Sequence, residues 1–150
     1  MNQPNISSCV LCNPDPFYQN LIIADYYYWN VSLHTNQSYL GRSIISLKRH
    51  SEDLFMIDQN EYLELQTITR SLTGAISDAF HADIFNYASL GNVIKHVHLH
   101  VIPRYAKAVK FETLSFPDHN WGHNYSPYDK SFTIEPEVVQ KIKMKIIESL

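Results

Sequence analysis

The chain of 150 residues is poor in cysteine, carries little net charge and contains no long apolar run. Its formal net charge of −3 argues against a protein that binds polyanions over its whole surface. No apolar stretch approaches the roughly 20 residues of a membrane-spanning helix, so we expect no membrane partner. Residues 1–8 are polar and show no signal-peptide pattern, which predicts a cytoplasmic protein.

The only two cysteines, Cys9 and Cys12, form a Cys-x-x-Cys motif. In a reducing compartment this spacing favours a metal site or a redox pair over a structural disulfide. The motif is weak by itself, because two inert thiols near a flexible terminus have the same spacing. Its meaning therefore depends on partners elsewhere in the sequence.

Composition predicts a single domain over residues 1–150. The chain is 45% hydrophobic and 18% charged, and no repeat or Pro/Gly-rich linker divides it. Within this domain we distinguish an N-terminal segment, residues 1–20, which carries the Cys-x-x-Cys motif. Residues 106–150 form a C-terminal extension that ends in a helix.

The order of predicted elements indicates an α+β fold with about five strands in a mostly antiparallel sheet. One long helix begins at the capping box Asp58-x-x-Glu61, continues with 3.6-residue periodicity to Phe80 and covers one face of the sheet. A final helix is predicted over residues 135–150. The predicted strands are residues 21–24, 26–33, 42–47, 83–89 and 97–103.

The most informative pattern is His96-Val97-His98-Leu99-His100-Val101-Ile102. On a strand, the three histidines point to one face and lie roughly 6.6 Å apart, while the apolar residues face a core. Three interpretations are open: a metal site, a nucleophilic imidazole, or a histidine-rich surface strand without a role. Nearby Arg104 and the Gly91-Asn92 turn suit an anionic phosphoryl group and favour the nucleophile.

The same pattern resembles the histidine triad (HIT) superfamily, whose motif is His-φ-His-φ-His-φ-φ with φ apolar. The stretch from Phe85 to Tyr105 is similar to bacterial diadenosine tetraphosphate hydrolase-like HIT proteins, and the similarity covers most of residues 9–125. Further matching motifs are Tyr39-Leu40-Gly41-Arg42, Lys48-Arg49-His50 and Trp121-Gly122.

The resemblance implies a HIT-like fold and an enzyme that acts at the α-phosphate of dinucleoside polyphosphates or nucleoside phosphoramidates. His98 would form a nucleotidyl-histidine intermediate, and His100 would contact the phosphate oxygens. His96 would complete the catalytic set as general acid, unless a metal holds it. The alternative is a nucleotide-binding regulatory or interaction protein with weak catalysis.

The resemblance also implies substrate-binding residues, which are Asn86, Gly91, Asn92, Arg104 and His34. Two departures from the family pattern concern them. Val93 stands where relatives often carry Ser or Thr, so a hydrogen bond to the leaving group is missing. His34 aligns where many relatives place Asp or Asn for the ribose hydroxyls.

Some HIT relatives hold a structural zinc with an N-terminal Cys-x-x-Cys and two histidines. The matching positions here are Cys9, Cys12, His50 and His96, so the resemblance implies zinc as a structural cofactor. It also implies a homodimer. A nucleic acid partner is not expected, because the net charge is −3 and no basic stripe is present.

Overall fold

The computed structural model describes residues 8–150. Residues 1–7 lie outside the described residues, and with them most of the segment on which the signal-peptide prediction rests. No helix in the described part is long and apolar enough to cross a bilayer.

A five-stranded antiparallel sheet forms the centre of the protein, which confirms the α+β prediction. The strand order is β1-β2-β3-β5-β4, so the histidine strand β5 lies inside the sheet and β4 at its edge. The strands are β1 (Ile22–Asp25), β2 (Trp29–Leu33), β3 (Ser43–Leu47), β4 (Ile84–Ala88) and β5 (His98–Arg104).

Within residues 8–150 three α-helices accompany the sheet: α1 (Pro16–Gln19), α2 (Gln59–Phe80) and α3 (Pro136–Ile147). A short 3-10 helix, Leu54–Met56, precedes α2. The predicted capping box of α2 is present: the Asp58 side chain accepts from the Glu61 backbone N–H, and the Glu61 side chain accepts from that of Asp58. The last helix is shorter than the predicted residues 135–150, because Pro136 suits its first turn and the final residues leave it.

Alternation along the strands gives the sheet two different faces. One face packs against α2 and α3, with a core that includes Val31, Ile45 and Val101 from the sheet and Leu72 from α2. Val97 belongs to this core and Leu99 packs against it, as the apolar half of the histidine pattern predicts. The opposite face carries the polar half of the same strands.

The predicted strand over residues 26–33 begins only at Trp29. The Tyr26 N–H bonds back to the Trp29 carbonyl at 2.9 Å, and the Glu64 carboxylate accepts from the backbone N–H groups of Tyr27 and Tyr28. These bonds close a turn, so the aromatic side chains that suggested a strand lie in the β1–β2 connection. The C-terminal extension contains a hairpin that the sequence did not predict, β6 (Val109–Phe111) with β7 (Leu114–Phe116).

Candidate active site and metal centre

The polar face of the sheet forms the floor of a cavity of about 390 Å³. Strand register sets its side chains in rows: His98 lies opposite Ser46, and His100 lies opposite Ile44. His34 and Arg42 extend the same floor beyond the His100 row, joined by a backbone hydrogen bond of 2.9 Å. Alternate residues of adjacent strands therefore present two histidines of the triad to one cavity.

Three segments outside the sheet complete the cavity walls. The N-terminal segment contributes Leu11 and Tyr18, and the loop before the histidine strand contributes residues 90–94. The C-terminal extension adds Tyr125 and Tyr128, whose rings stack at 6.3 Å between centroids. The cavity thus depends on both ends of the described chain.

His98 is held in one tautomer by a main-chain contact. Its Nδ1 lies 2.6 Å from the carbonyl oxygen of His96, and the side chain is only 6% exposed. A carbonyl oxygen can only accept, so Nδ1 carries the proton and donates it. The lone pair of the neutral ring is therefore on Nε2, the nitrogen that can act as a nucleophile.

His100 and His34 are held uncharged beside it. Burial, together with the nearby His98 and Arg42, lowers the pKa of His100 to about 4. Burial first, and then the charge of Arg42, lowers the pKa of His34 to about 3. The two rings lie 5.6 Å apart, and His34 Nδ1 accepts from the Asn36 backbone N–H. At neutral pH the imidazoles thus serve as polar, uncharged neighbours.

His96 is not among the cavity-lining residues and belongs to a second cluster. Its Nε2 bonds the Leu47 carbonyl oxygen at 2.6 Å, which leaves Nδ1 as the lone-pair nitrogen. That Nδ1 lies 3.3 Å from Cys9 Sγ and 3.4 Å from Cys12 Sγ. His50 Nδ1 lies 3.4 Å from Cys12 Sγ.

These four residues fit a tetrahedral metal ion. Their donor atoms all lie within 4.8 Å of one another. Tetrahedral zinc with ordinary Zn–S and Zn–N bonds sets sulfur and nitrogen about 3.5 Å apart, close to the observed separations. In the metal-free protein, burial and the neighbouring Cys9 raise the pKa of Cys12 to about 11, so metal binding must displace a proton.

Arg104 and Asn86, which the resemblance implied as substrate-binding residues, do not lie in the cavity. Arg104 is 1% exposed, and its guanidinium donates to the Asp118 carboxylate at 2.6 Å and 3.1 Å. It also donates to Asn86 Oδ1 at 2.6 Å and to the Asn120 and His123 carbonyls. Neither Arg104 nor Asn86 lines the cavity. The position of Arg104 at the end of β5 suggested a contact with phosphate, but its guanidinium is paired with the Asp118 carboxylate instead.

Gly91 and Asn92 do line the cavity. Gly91 has φ 63°, and a Cβ there would meet nothing within 4 Å, so the left-handed backbone rather than space is what favours glycine. Val93 is 95% exposed.

Arg42 is a site residue that sequence reasoning missed. It is 2% exposed, lines the cavity and lies with its Cζ 4.3 Å from the Tyr128 ring centroid. The preceding Gly41 has φ 84° and leads the chain into β3. The sequence feature that could have identified Arg42 is the two-residue spacing of Arg42, Ile44 and Ser46, because alternate residues lie on the same face of a strand.

Comparison with known proteins agrees with this geometry. The HIT domain family model matches residues 31–107, slightly more than half of the chain. A histidine triad protein from Sinorhizobium meliloti 1021 superposes with a TM-score of 0.74 at 18% identity, covering 97% of this chain and 100% of that one. A hypothetical histidine triad nucleotide-binding protein from Sulfolobus tokodaii strain 7 gives 0.71 at 20% identity, covering 94% and 91%.

A third similar structure is a Zn-bound histidine triad family protein from Mycobacterium smegmatis, with a TM-score of 0.61, 18% identity and 96% coverage of each chain. No curated protein matches the sequence. The matched residues include the histidine strand and the floor of the cavity from β2 onward, so the chain belongs to the HIT domain family.

Proposed function

We propose that the protein is a nucleotide hydrolase or transferase that acts at the α-phosphate through a nucleotidyl-histidine at His98. The observation that carries the proposal is the 2.6 Å contact between His98 Nδ1 and the His96 carbonyl, which makes Nε2 the lone-pair nitrogen of the neutral ring in a residue that lines the cavity. Membership in the HIT family supports the same function.

In the proposed reaction, the Nε2 lone pair of His98 forms a bond to the α-phosphorus while the bond from that phosphorus to the leaving group breaks. Water then attacks the phosphorus, the N–P bond breaks, and a nucleoside monophosphate leaves. His100, whose ring lies 5.0 Å from that of His98, contacts the phosphoryl oxygens as a neutral polar group. Dinucleoside polyphosphates and nucleoside phosphoramidates are the proposed substrate classes.

Substrate contacts in this proposal come from residues that line the cavity: Asn92, the Gly91 backbone and His34. Asn86 and Arg104 support the site from the interior, because Arg104 ties β4 and β5 to the C-terminal extension through Asn86 and Asp118.

The test replaces the proposed nucleophile. His98→Asn retains a side-chain donor for the His96 carbonyl but no nucleophilic nitrogen, and we expect turnover of both substrate classes to fall about 1000-fold or more. His98→Ala should behave alike, whereas His119→Ala, an exposed histidine outside the cavity, should match the wild type. Mass spectrometry of briefly reacted wild-type protein should find a nucleotidyl group on His98.

A nucleotide-binding regulatory or interaction protein with weak catalysis is the second candidate. Val93 favours it, because its exposed apolar side chain offers no hydrogen bond to a leaving group. Tight mononucleotide binding by calorimetry, with unchanged slow turnover in His98→Asn and no adduct on His98, would replace the first proposal with this one.

We propose zinc as the ion held by Cys9, Cys12, His50 and His96. Two thiolates and two imidazoles are a donor set that zinc prefers, and the Zn-bound relative supports the choice. Such an ion would supply structure by joining the N-terminal segment to the histidine strand. The homodimer, the cytoplasmic location and the absence of a nucleic acid partner stay predictions.

A further inference from the structure

Arg42 differs from the other buried arginine in what its donors contact. The guanidinium of Arg104 donates to carboxylate, amide and carbonyl oxygens through all three nitrogens. Nε and Nη1 of Arg42 are buried and have no hydrogen-bond partner within residues 8–150. Buried donors and charges are ordinarily paired, because leaving them unpaired costs free energy. Arg42 therefore has unused capacity to bind an acceptor.

The cavity provides no negative charge for Arg42. None of its lining residues is an aspartate or a glutamate, and its charged side chains are Arg42 and the exposed Lys130. His34 and His100, two neighbours of Arg42, are kept neutral by their burial together with the Arg42 charge. His100 Nδ1 is another buried atom without a hydrogen-bond partner in the described part of the chain. A ligand must supply the anion.

Arg42 lies at the opposite end of the cavity floor from His98. His98 pairs with Ser46, His100 with Ile44, and Arg42 follows one row further on. Alternate residues rise about 6.6 Å along a strand, so the backbone positions of Arg42 and the His98 row are roughly 13 Å apart. The Arg42 guanidinium packs on the Tyr128 ring of the C-terminal extension, which limits its freedom to turn back.

We propose that Arg42, backed by Tyr128 and next to His100, forms a second anion subsite that selects nucleotides with a phosphoryl group remote from the one at His98. The second phosphoryl group can belong to the sugar or to the far part of a phosphate chain. This proposal rests on the proposed function in one respect: it takes from it that the first phosphoryl group binds at His98. It adds a substrate requirement: a mononucleotide with a single phosphate leaves Arg42 unpaired.

Binding of four adenine nucleotides tests the proposal. Affinities of AMP, ATP, adenosine 2′,5′-bisphosphate and adenosine 3′,5′-bisphosphate are measured by calorimetry at one ionic strength. For the wild type we expect at least one nucleotide with a remote phosphoryl group, on the sugar or at the end of the triphosphate, to bind about 10- to 100-fold more tightly than AMP, as a charge-assisted contact provides. The preferred nucleotide shows whether the second group lies on the sugar or on the phosphate chain.

Variants then assign the preference to Arg42. In Arg42→Gln the affinity ratio to AMP should fall to within about threefold of one, and Arg42→Lys should keep part of it. Arg70→Gln is the matched control, since it removes the same charge from the exposed surface of α2 and should keep the wild-type ratio. Thermal unfolding of each variant shows whether it folds. If Arg42→Gln does not fold, the affinity of the preferred nucleotide relative to AMP in the wild type still tests the proposal.

Two results would overturn the second subsite. One is a wild-type protein that binds neither ATP nor either bisphosphate more tightly than AMP. The other is an Arg42→Gln variant that weakens AMP and the preferred nucleotide by the same factor, because Arg42 would then meet the first phosphate. Failure of the proposed reaction can be told apart from failure of the subsite. If the proposed reaction is wrong, His98→Asn keeps wild-type turnover, and the wild type still prefers the nucleotide with the second phosphoryl group over AMP.

Discussion

Arg104 lies at the end of the histidine strand with its charge paired inside the protein. Asp118, whose side chain has 0% exposure, receives two of its hydrogen bonds, and the Tyr39 ring lies 5.3 Å from its Cζ. Removal of one partner from such a pair leaves a buried charge without compensation. Arg104 therefore contributes to stability through its partners more than to phosphate binding.

We expect Arg104→Ala and Asp118→Asn each to lower the free energy of unfolding by about 3 to 5 kcal/mol, because each leaves the other charge buried. Urea denaturation followed by fluorescence measures this loss, with Arg70→Ala on the exposed surface of α2 as the control. A stable Arg104→Ala protein with weakened nucleotide affinity would contradict this assignment and return Arg104 to the phosphate site.

The histidine strand shows what local pattern can predict at this scale. Alternation correctly set Val97 and Val101 in the core, and it put His98 and His100 on the opposite face, where both line the cavity. Local pattern could not predict the partner of the buried Arg104 charge, because Asp118 lies 14 residues away and no periodic pattern relates the two positions. The unpaired state of Arg42 is likewise a property of the folded cavity.

At the scale of elements, the first turn of α2 is tied to two strands. Glu61 is 2% exposed, closes the capping box and accepts from Arg49 Nε at 2.5 Å just after β3. Its own carbonyl accepts from Trp29 Nε1 at 2.8 Å on β2. The helix start thus sets the position of residues 48–50, which include His50 of the cysteine–histidine group.

Glu61→Gln should destabilise the protein by about 1 to 3 kcal/mol at neutral pH, since it keeps the shape of the cap and removes the charge. The hydrogen bond from Arg49 lowers the pKa of Glu61, so this stabilisation is present above the ordinary carboxyl pKa of 4.5 and is lost as the pH falls further. Urea denaturation at pH 7 and pH 3.5 measures both effects. If the difference in the free energy of unfolding between wild type and Glu61→Gln is larger at pH 3.5 than at pH 7, the ion pair with Arg49 is not the cause of that difference.

The main elements were predictable because their signals are local: a capping box with long periodicity for α2, and alternation for the strands. The β6–β7 hairpin was not, because its strands have three residues each and its turn uses Glu112 at φ 52°, a residue type without preference for that region. Tyr26 to Tyr28 suggested a strand by composition, but bonds to the distant Glu64 decide their conformation.

At the scale of the whole molecule, the cluster of Cys9, Cys12, His50 and His96 joins parts of the chain that are far apart in sequence. Cys9 and His96 are separated by 87 residues. We expect purified protein to contain about one zinc per chain, and removal with a chelator to lower the thermal midpoint and release the N-terminal segment to proteolysis. Elemental analysis and calorimetry measure these effects.

His50→Ala should lose tight zinc binding, and His119→Ala, the exposed histidine, should keep it. Zinc affinity should fall as the pH is lowered, because the ion competes with protons for the thiols. Protein isolated with no zinc and with freely titratable thiols in its native state would remove the proposed centre.

The assembly of the cavity illustrates what sequence could not supply. The floor follows from strand pattern and register, whereas the walls combine Tyr18 near one end of the chain with Tyr125 and Tyr128 near the other. Such placement is set by long-range packing between segments that are far apart in the sequence.

His96 shows how one residue of a repeated motif can serve two neighbouring centres at once. Its imidazole belongs with the sulfurs, while its peptide oxygen orients the ring of His98. Oxidation of the thiols, or binding of an ion by them, would therefore change the surroundings of the His98 ring through a single peptide unit. The three histidines of the motif therefore differ in their surroundings: the His96 ring lies beside the two cysteines, and the His98 and His100 rings line the cavity.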